Sequence, residues 1–84
     1  MTVRECLNKL RWDPLEDITN YELTYLHRGA PMNVKVIPCN IIAEIKSSWF
    51  TYKSSKKGEV TIPFHRVLEI RNVKTGQIVW KRRT

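Results

Sequence analysis

Residues 59–71 read Glu59-Val60-Thr61-Ile62-Pro63-Phe64-His65-Arg66-Val67-Leu68-Glu69-Ile70-Arg71. Val60, Ile62, Phe64, Leu68 and Ile70 share one period-two phase, the pattern of a strand with one buried face. Two residues interrupt it. Pro63 has no backbone N–H to give to a ladder, so the stretch bends or lies at a sheet edge there. Arg66 occupies the apolar phase, where a charge is paired, sits at a register break, or is in use.

The flanking segments extend the β reading. Lys74-Thr75-Gly76 forms a hairpin turn into a strand at Gln77–Arg83, and Ser54–Gly58 is a polar turn after a strand at Ser48–Ser54. Trp49, Phe50, Thr51 and Tyr52 are all good strand formers. Further upstream, Tyr21, Leu23, Tyr25 and His27 alternate with Glu22, Thr24, Leu26 and Arg28, predicting a strand over 21–28. Gly29–Asn33 breaks it as a turn before a short strand at Val34–Ile37. Asn40 is positioned to cap a short second helix carrying Ile41, Ile42 and Ile45. At the start, Thr2-Val3-Arg4-Glu5 fits a capping box for a helix over 3–11. Its stripe is Val3, Cys6, Leu7 and Leu10, and Trp12-Asp13-Pro14 stops it. Residues 15–20 read as a loop. The order is α-β-β-α-β-β-β-β. Successive hairpins predict a mainly antiparallel sheet covered by helix, an α+β fold in one domain over residues 1–84. No repeat and no low-complexity segment stands out.

At 84 residues and 10.0 kDa there is room for one small core. An apolar share of 42% with 27% charged residues is a globular mixture. No apolar run approaches the ~18 residues of a membrane span. The charged, amphipathic N-terminus does not read as a signal peptide. Two cysteines make no disulfide scaffold, so a cytoplasmic, reducing location is expected. The net charge of +7 is unevenly spread: residues 1–45 sum to −1 and residues 46–84 to +8. That asymmetry favours a polyanionic partner.

Two His-Arg dipeptides carry the most chemistry. His27-Arg28 ends a strand against Gly29, and His65-Arg66 follows the prolyl bend. Arginine presents a planar donor fork suited to phosphate, and histidine a titratable donor near neutral pH, so the two pairs, each at a strand end or bend, are expected to come together on a single anion. Aromatic and basic residues also interleave, at Trp49–Lys53 and Trp80–Arg83, as in proteins that stack bases and hold a phosphate backbone. Lys53, Arg71, Trp80, Lys81 and Arg82 are candidates for such contacts. Cys6, His27, Cys39 and His65 match no zinc spacing, so no metal is expected. Neither cysteine has the electropositive setting of a nucleophile. Phosphate-loop, dinucleotide and nucleophile-elbow motifs are absent, and no cofactor is expected. Asp13, Glu16 and Asp17 cluster near Pro14, where carboxylates cap turns.

Taken together, LNKLRWDP, YLHRGAPMNVKVIP, IPFHRVLEIRN and the final Gly-Gln-Ile-Val-Trp resemble a small, mainly archaeal family proposed to be an RNA cyclic-group end recognition domain. The resemblance spans nearly the whole chain. It implies binding of RNA ends that carry a 2′,3′-cyclic phosphate, with His27, Arg28, Gly29, His65 and Arg66 as the binding residues. It also implies RNA-processing proteins as further partners.

Three functions fit these residues. The first is a non-catalytic binding module for single-stranded RNA ends. The second is a cyclic phosphodiesterase or RNase using His27 and His65 as acid and base. Two-histidine phosphoesterases follow each histidine with Thr or Ser two residues on, whereas Gly29 and Val67 stand there. The third is a protein-interaction module with a basic half. No membrane partner is expected.

Overall fold

A computed structural model gives the structure of residues 2–82. The Thr2 hydroxyl accepts the Glu5 amide at 3.1 Å, opening α1 (Val3–Trp12). The helix stops at Asp13, before Pro14, as the prolyl restriction requires. Val3, Cys6, Leu7 and Leu10 are all buried, so the expected stripe is the face that meets the core. Arg11 Nη2 donates to the Ala43 carbonyl at 3.0 Å and ties the far end of the helix to the strands.

Seven strands follow: β1 (Tyr21–Leu26), β2 (Val34–Pro38), β3 (Ile42–Ile45), β4 (Trp49–Ser54), β5 (Gly58–Pro63), β6 (Val67–Asn72) and β7 (Ile78–Lys81). They form two antiparallel sheets, ordered β2-β1-β6-β7 and β3-β4-β5. Tyr21, Leu23 and Tyr25 of β1 point into the core with Ile70 of β6, opposite Phe50 and Tyr52 of β4 and Ile62 of β5. The two sheets touch through a polar contact as well. The buried hydroxyls of Tyr25 and Tyr52 hydrogen-bond at 2.7 Å, each satisfying a group that would otherwise be stranded away from water.

The structure differs from the sequence expectation in two elements. No second α-helix forms: Cys39–Ile41 is a single 3₁₀ turn capped at Pro38, not Asn40, and Ile42–Ile45 is strand β3. Ile42 and Ile45 pair with Tyr52 and Phe50, so β-branched residues beside an available strand edge go into the sheet. The run 59–71 is also not one strand. Pro63 ends edge strand β5, Phe64–Arg66 makes a 3₁₀ turn, and β6 begins at Val67 in the other sheet. The apolar phase slips with it: Val67 and Ile70 are fully buried, while Phe64 and Leu68 are half-buried.

These two corners are alike, and the similarity reaches the sequence. Ile37-Pro38-Cys39-Asn40-Ile41-Ile42-Ala43-Glu44-Ile45 and Ile62-Pro63-Phe64-His65-Arg66-Val67-Leu68-Glu69-Ile70 share Ile-Pro, a β-branched residue and Glu-Ile at matching positions. In each, an extended Pro leads into one 3₁₀ turn and the chain passes from one sheet to the other. A short internal repeat therefore exists where none had stood out.

Candidate functional site

The antiparallel pairing of β1 with β6 determines where the two His-Arg dipeptides go. β1 runs out through Leu26 into His27-Arg28, and β6 begins directly after His65-Arg66. The last β1 pair is Tyr25 with Val67, so both dipeptides emerge past the same edge of the sheet. Leu26, His27, Arg28, His65 and Arg66 line one open cleft of about 550 Å³. Arg28, His65 and Arg66 are exposed, and His27 is half-buried. Arg66 thus lies at the break between two sheets, which explains its position in the apolar phase.

Both sides of the cleft are held by backbone geometry. His27 N donates to Asn33 O at 2.8 Å and His27 O accepts from Ala30 N at 3.2 Å, closing the loop against its own start. Its ring rests edge-on against Tyr25, with centroids 6.0 Å apart and planes at 88°. Gly29 is exposed at φ +92°, a conformation open to glycine, and lets the chain turn away just after Arg28. Two non-glycine residues of the loop, Met32 and Asn33, also take left-handed φ of 59° and 58°. Across the cleft, Arg82 clamps the turn that carries His65 and Arg66. Its Nε donates to Val67 O and its Nη2 to Phe64 O, both at 2.9 Å. Ser48 O accepts Phe64 N at 3.0 Å from the other side.

The remaining candidates are dispersed. Arg71 Nη2 lies 3.4 Å from Glu22 Oε1, and the Arg82 fork is engaged with the turn. Lys53 is exposed on β4 opposite Glu59, and Lys81 on β7 opposite Glu69. Trp80 is half-buried on β7 opposite Ile70 and packs against the core. Lys56 and Lys57 sit in the β4–β5 turn, a full strand length from the corner that bears His65. Sequence reasoning missed Leu26 as a cleft residue and Arg82 as the clamp. The repeated Ile-Pro corner was the signal available for locating the turn.

The acidic cluster near Pro14 and the two cysteines are engaged elsewhere. Asp13 Oδ1 accepts from Leu15 N at 2.9 Å, and Asp17 Oδ1 from the Thr19 hydroxyl and amide. The Thr19 hydroxyl bond holds the Asp17 carboxyl below its ordinary range. Glu16 accepts the Tyr21 hydroxyl. Burial pushes the Cys6 thiol up to about 11 and the Cys39 thiol up to about 12, the reverse of what a nucleophile needs. Among the described residues no three His, Cys, Asp or Glu gather as a metal-ion set, and no helix is long and apolar enough to cross a membrane.

Fold and cleft define a small α+β domain that presents arginine and histidine side chains at one edge of a sheet. The chain belongs to the family described as the MJ1316 RNA cyclic group end recognition domain, whose model matches residues 1–82. It is 44% identical over 80 residues to a UPF0248 protein of Methanococcus vannielii, covering 95% of this chain and 90% of the relative. It is 40% identical over 81 residues to UPF0248 protein MJ1316 of Methanocaldococcus jannaschii, covering 96% and 94%. UPF0248 protein PH1212.1 of Pyrococcus horikoshii is 40% identical over 82 residues, covering 98% and 90%. No solved structure matches the chain.

Proposed function

We propose that this protein is an RNA-binding module that captures RNA ends terminating in a 2′,3′-cyclic phosphate. The observation that carries this is the single cleft shared by His27, Arg28, His65 and Arg66. A cyclic phosphate is a compact monoanion fused to a ribose. Two arginine forks and two imidazole donors suit such a group better than they suit a long backbone. The repeated corner supplies an internal control. Asn40 and Ile41 occupy the positions of His65 and Arg66 in the other Ile-Pro turn, which folds the same way. The turn therefore does not need His-Arg for its own stability, which supports a role in ligand contact.

Affinity for an oligoribonucleotide with a 2′,3′-cyclic phosphate end, against the same oligomer ending in a hydroxyl, tests this function. Arg28→Ala and Arg66→Ala should each cost about 1.5–3 kcal/mol on the cyclic end, roughly 10- to 150-fold, and far less on the hydroxyl end. Equal losses on both ends would overturn end recognition. Two imidazoles at one cleft are also the inventory for acid–base opening of the ring. Loss of the cyclic end over time, abolished by His27→Ala and by His65→Ala, would mark the protein as an enzyme.

A further inference from the structure

The turn Phe64–Arg66 separates two concavities. His65 and Arg66 face the cleft already described, while Phe64 lines a second groove of about 580 Å³ with Thr2, Arg4, Ser47, Trp80 and Arg82. Trp80 and Phe64 are both half-buried. Phe64 stacks on Phe50 in the core, with planes 20° apart and centroids 6.2 Å apart, which fixes its ring. The Arg82 guanidinium lies 5.8 Å from the centre of the Trp80 ring while its donors hold the turn. The groove thus has flat apolar walls and a polar rim: hydroxyls at Thr2 and Ser47, the Glu5 carboxylate, and cations at Arg4 and Arg82.

We propose that this second groove takes the unpaired nucleobase of the terminal nucleotide whose phosphate sits in the His-Arg cleft. The proposal rests on the end-recognition function above and adds a second contact to it. A nucleobase is a flat ring with apolar faces and polar edges, which complements aromatic walls under a polar rim. Continuity selects the occupant: consecutive residues of one rigid turn line both concavities, so a single nucleotide bridges them with its ribose. Arg4 and Arg82 outnumber the Glu5 carboxylate, so the rim stays net positive toward the attached phosphates. Stacking on aromatic walls tolerates any base, so the groove recognises the presence of a base and not its identity.

The test compares two short RNAs with cyclic-phosphate ends, one with its terminal base and one abasic at that ribose. The abasic end should bind the wild-type protein roughly 5- to 150-fold more weakly, the range expected for one base–aromatic stack. Ser47→Trp fills the groove from an exposed loop position without touching the core. It should lower affinity for the complete end to the abasic level and leave the abasic end unchanged. Trp80→Leu should do the same, with circular dichroism confirming that it folds; if it does not, Ser47→Trp decides. Equal wild-type affinity for the two RNAs, or an equal loss on both in Ser47→Trp, overturns the proposal. The same pair with hydroxyl ends separates it from the function on which it rests. A base effect that persists while cyclic and hydroxyl ends bind alike would remove end recognition and leave the base groove standing.

Discussion

Thr51 sits in the middle of β4, buried, with its hydroxyl unpartnered among the described residues. Desolvating a hydroxyl without return costs stability, and an isosteric apolar replacement removes that cost. Thr51→Val should therefore raise unfolding stability by roughly 0.5–1.5 kcal/mol, read from chemical denaturation. Leu7 is fully buried on α1, and Leu7→Ala should cost about 2–4 kcal/mol in the same measurement. Both thiols titrate above their usual value of 9.0 because of burial. A raised folded-state value favours the neutral thiol in the fold. The contribution is complete below about pH 9 and is lost as pH climbs toward 11 and 12, where the unfolded chain has already released its protons. Stability should fall across that window, and Cys6→Ala should flatten part of the decline. The chemistry-bearing residues were legible individually: His27, Arg28, His65 and Arg66 stood out by type and repetition. Their convergence was legible as well, from the same dipeptide standing at two strand ends or bends; the pairing of β1 with β6 that produces it was not, because it joins segments far apart in sequence.

Local rules read α1, β1, β2 and β4 well, since capping, prolyl stops and period-two alternation act within a few residues. They failed at Asn40–Ile45, where a cap residue before isoleucines looks helical until the edge of β4 is available to pair with them. They also ran β5 and β6 together, because a one-turn corner keeps apolar residues nearly in phase. That corner depends on the Arg82 clamp. Arg82→Met removes the donors to Phe64 O and Val67 O while keeping much of the aliphatic bulk. It should weaken cyclic-end binding and lower the hydrogen-exchange protection of the Leu68 strand, whose backbone also bonds Arg82 N at 2.9 Å. On the opposite wall, the left-handed φ at Met32 costs a non-glycine residue about 1–2 kcal/mol. Met32→Gly recovers part of that against the added freedom of the unfolded chain, and should raise the melting temperature slightly.

Across the whole molecule, charge and topology act together. The second half carries the +8, yet Arg71 pairs with Glu22 and Lys46 with Glu44 at 2.6 Å, so part of the excess is already neutralised within the fold. If about four phosphates of a single strand are contacted, log affinity should fall against log salt with a slope near −3. A flat response would remove a charged ligand from consideration. The chain closes its larger sheet by bringing β6 back beside β1, across everything between them. His27-Arg28 and His65-Arg66 stand on opposite sides of that closure, so a half-assembled chain owns no cleft. The cleft therefore exists only where β1 and β6 are paired. A ligand that engages only the closed state should slow unfolding and leave the refolding limb of a chevron untouched. Two peptides cut in the β4–β5 turn should each be inert and regain affinity only when mixed, which makes the ligand a gauge of whether the two halves of the chain have met.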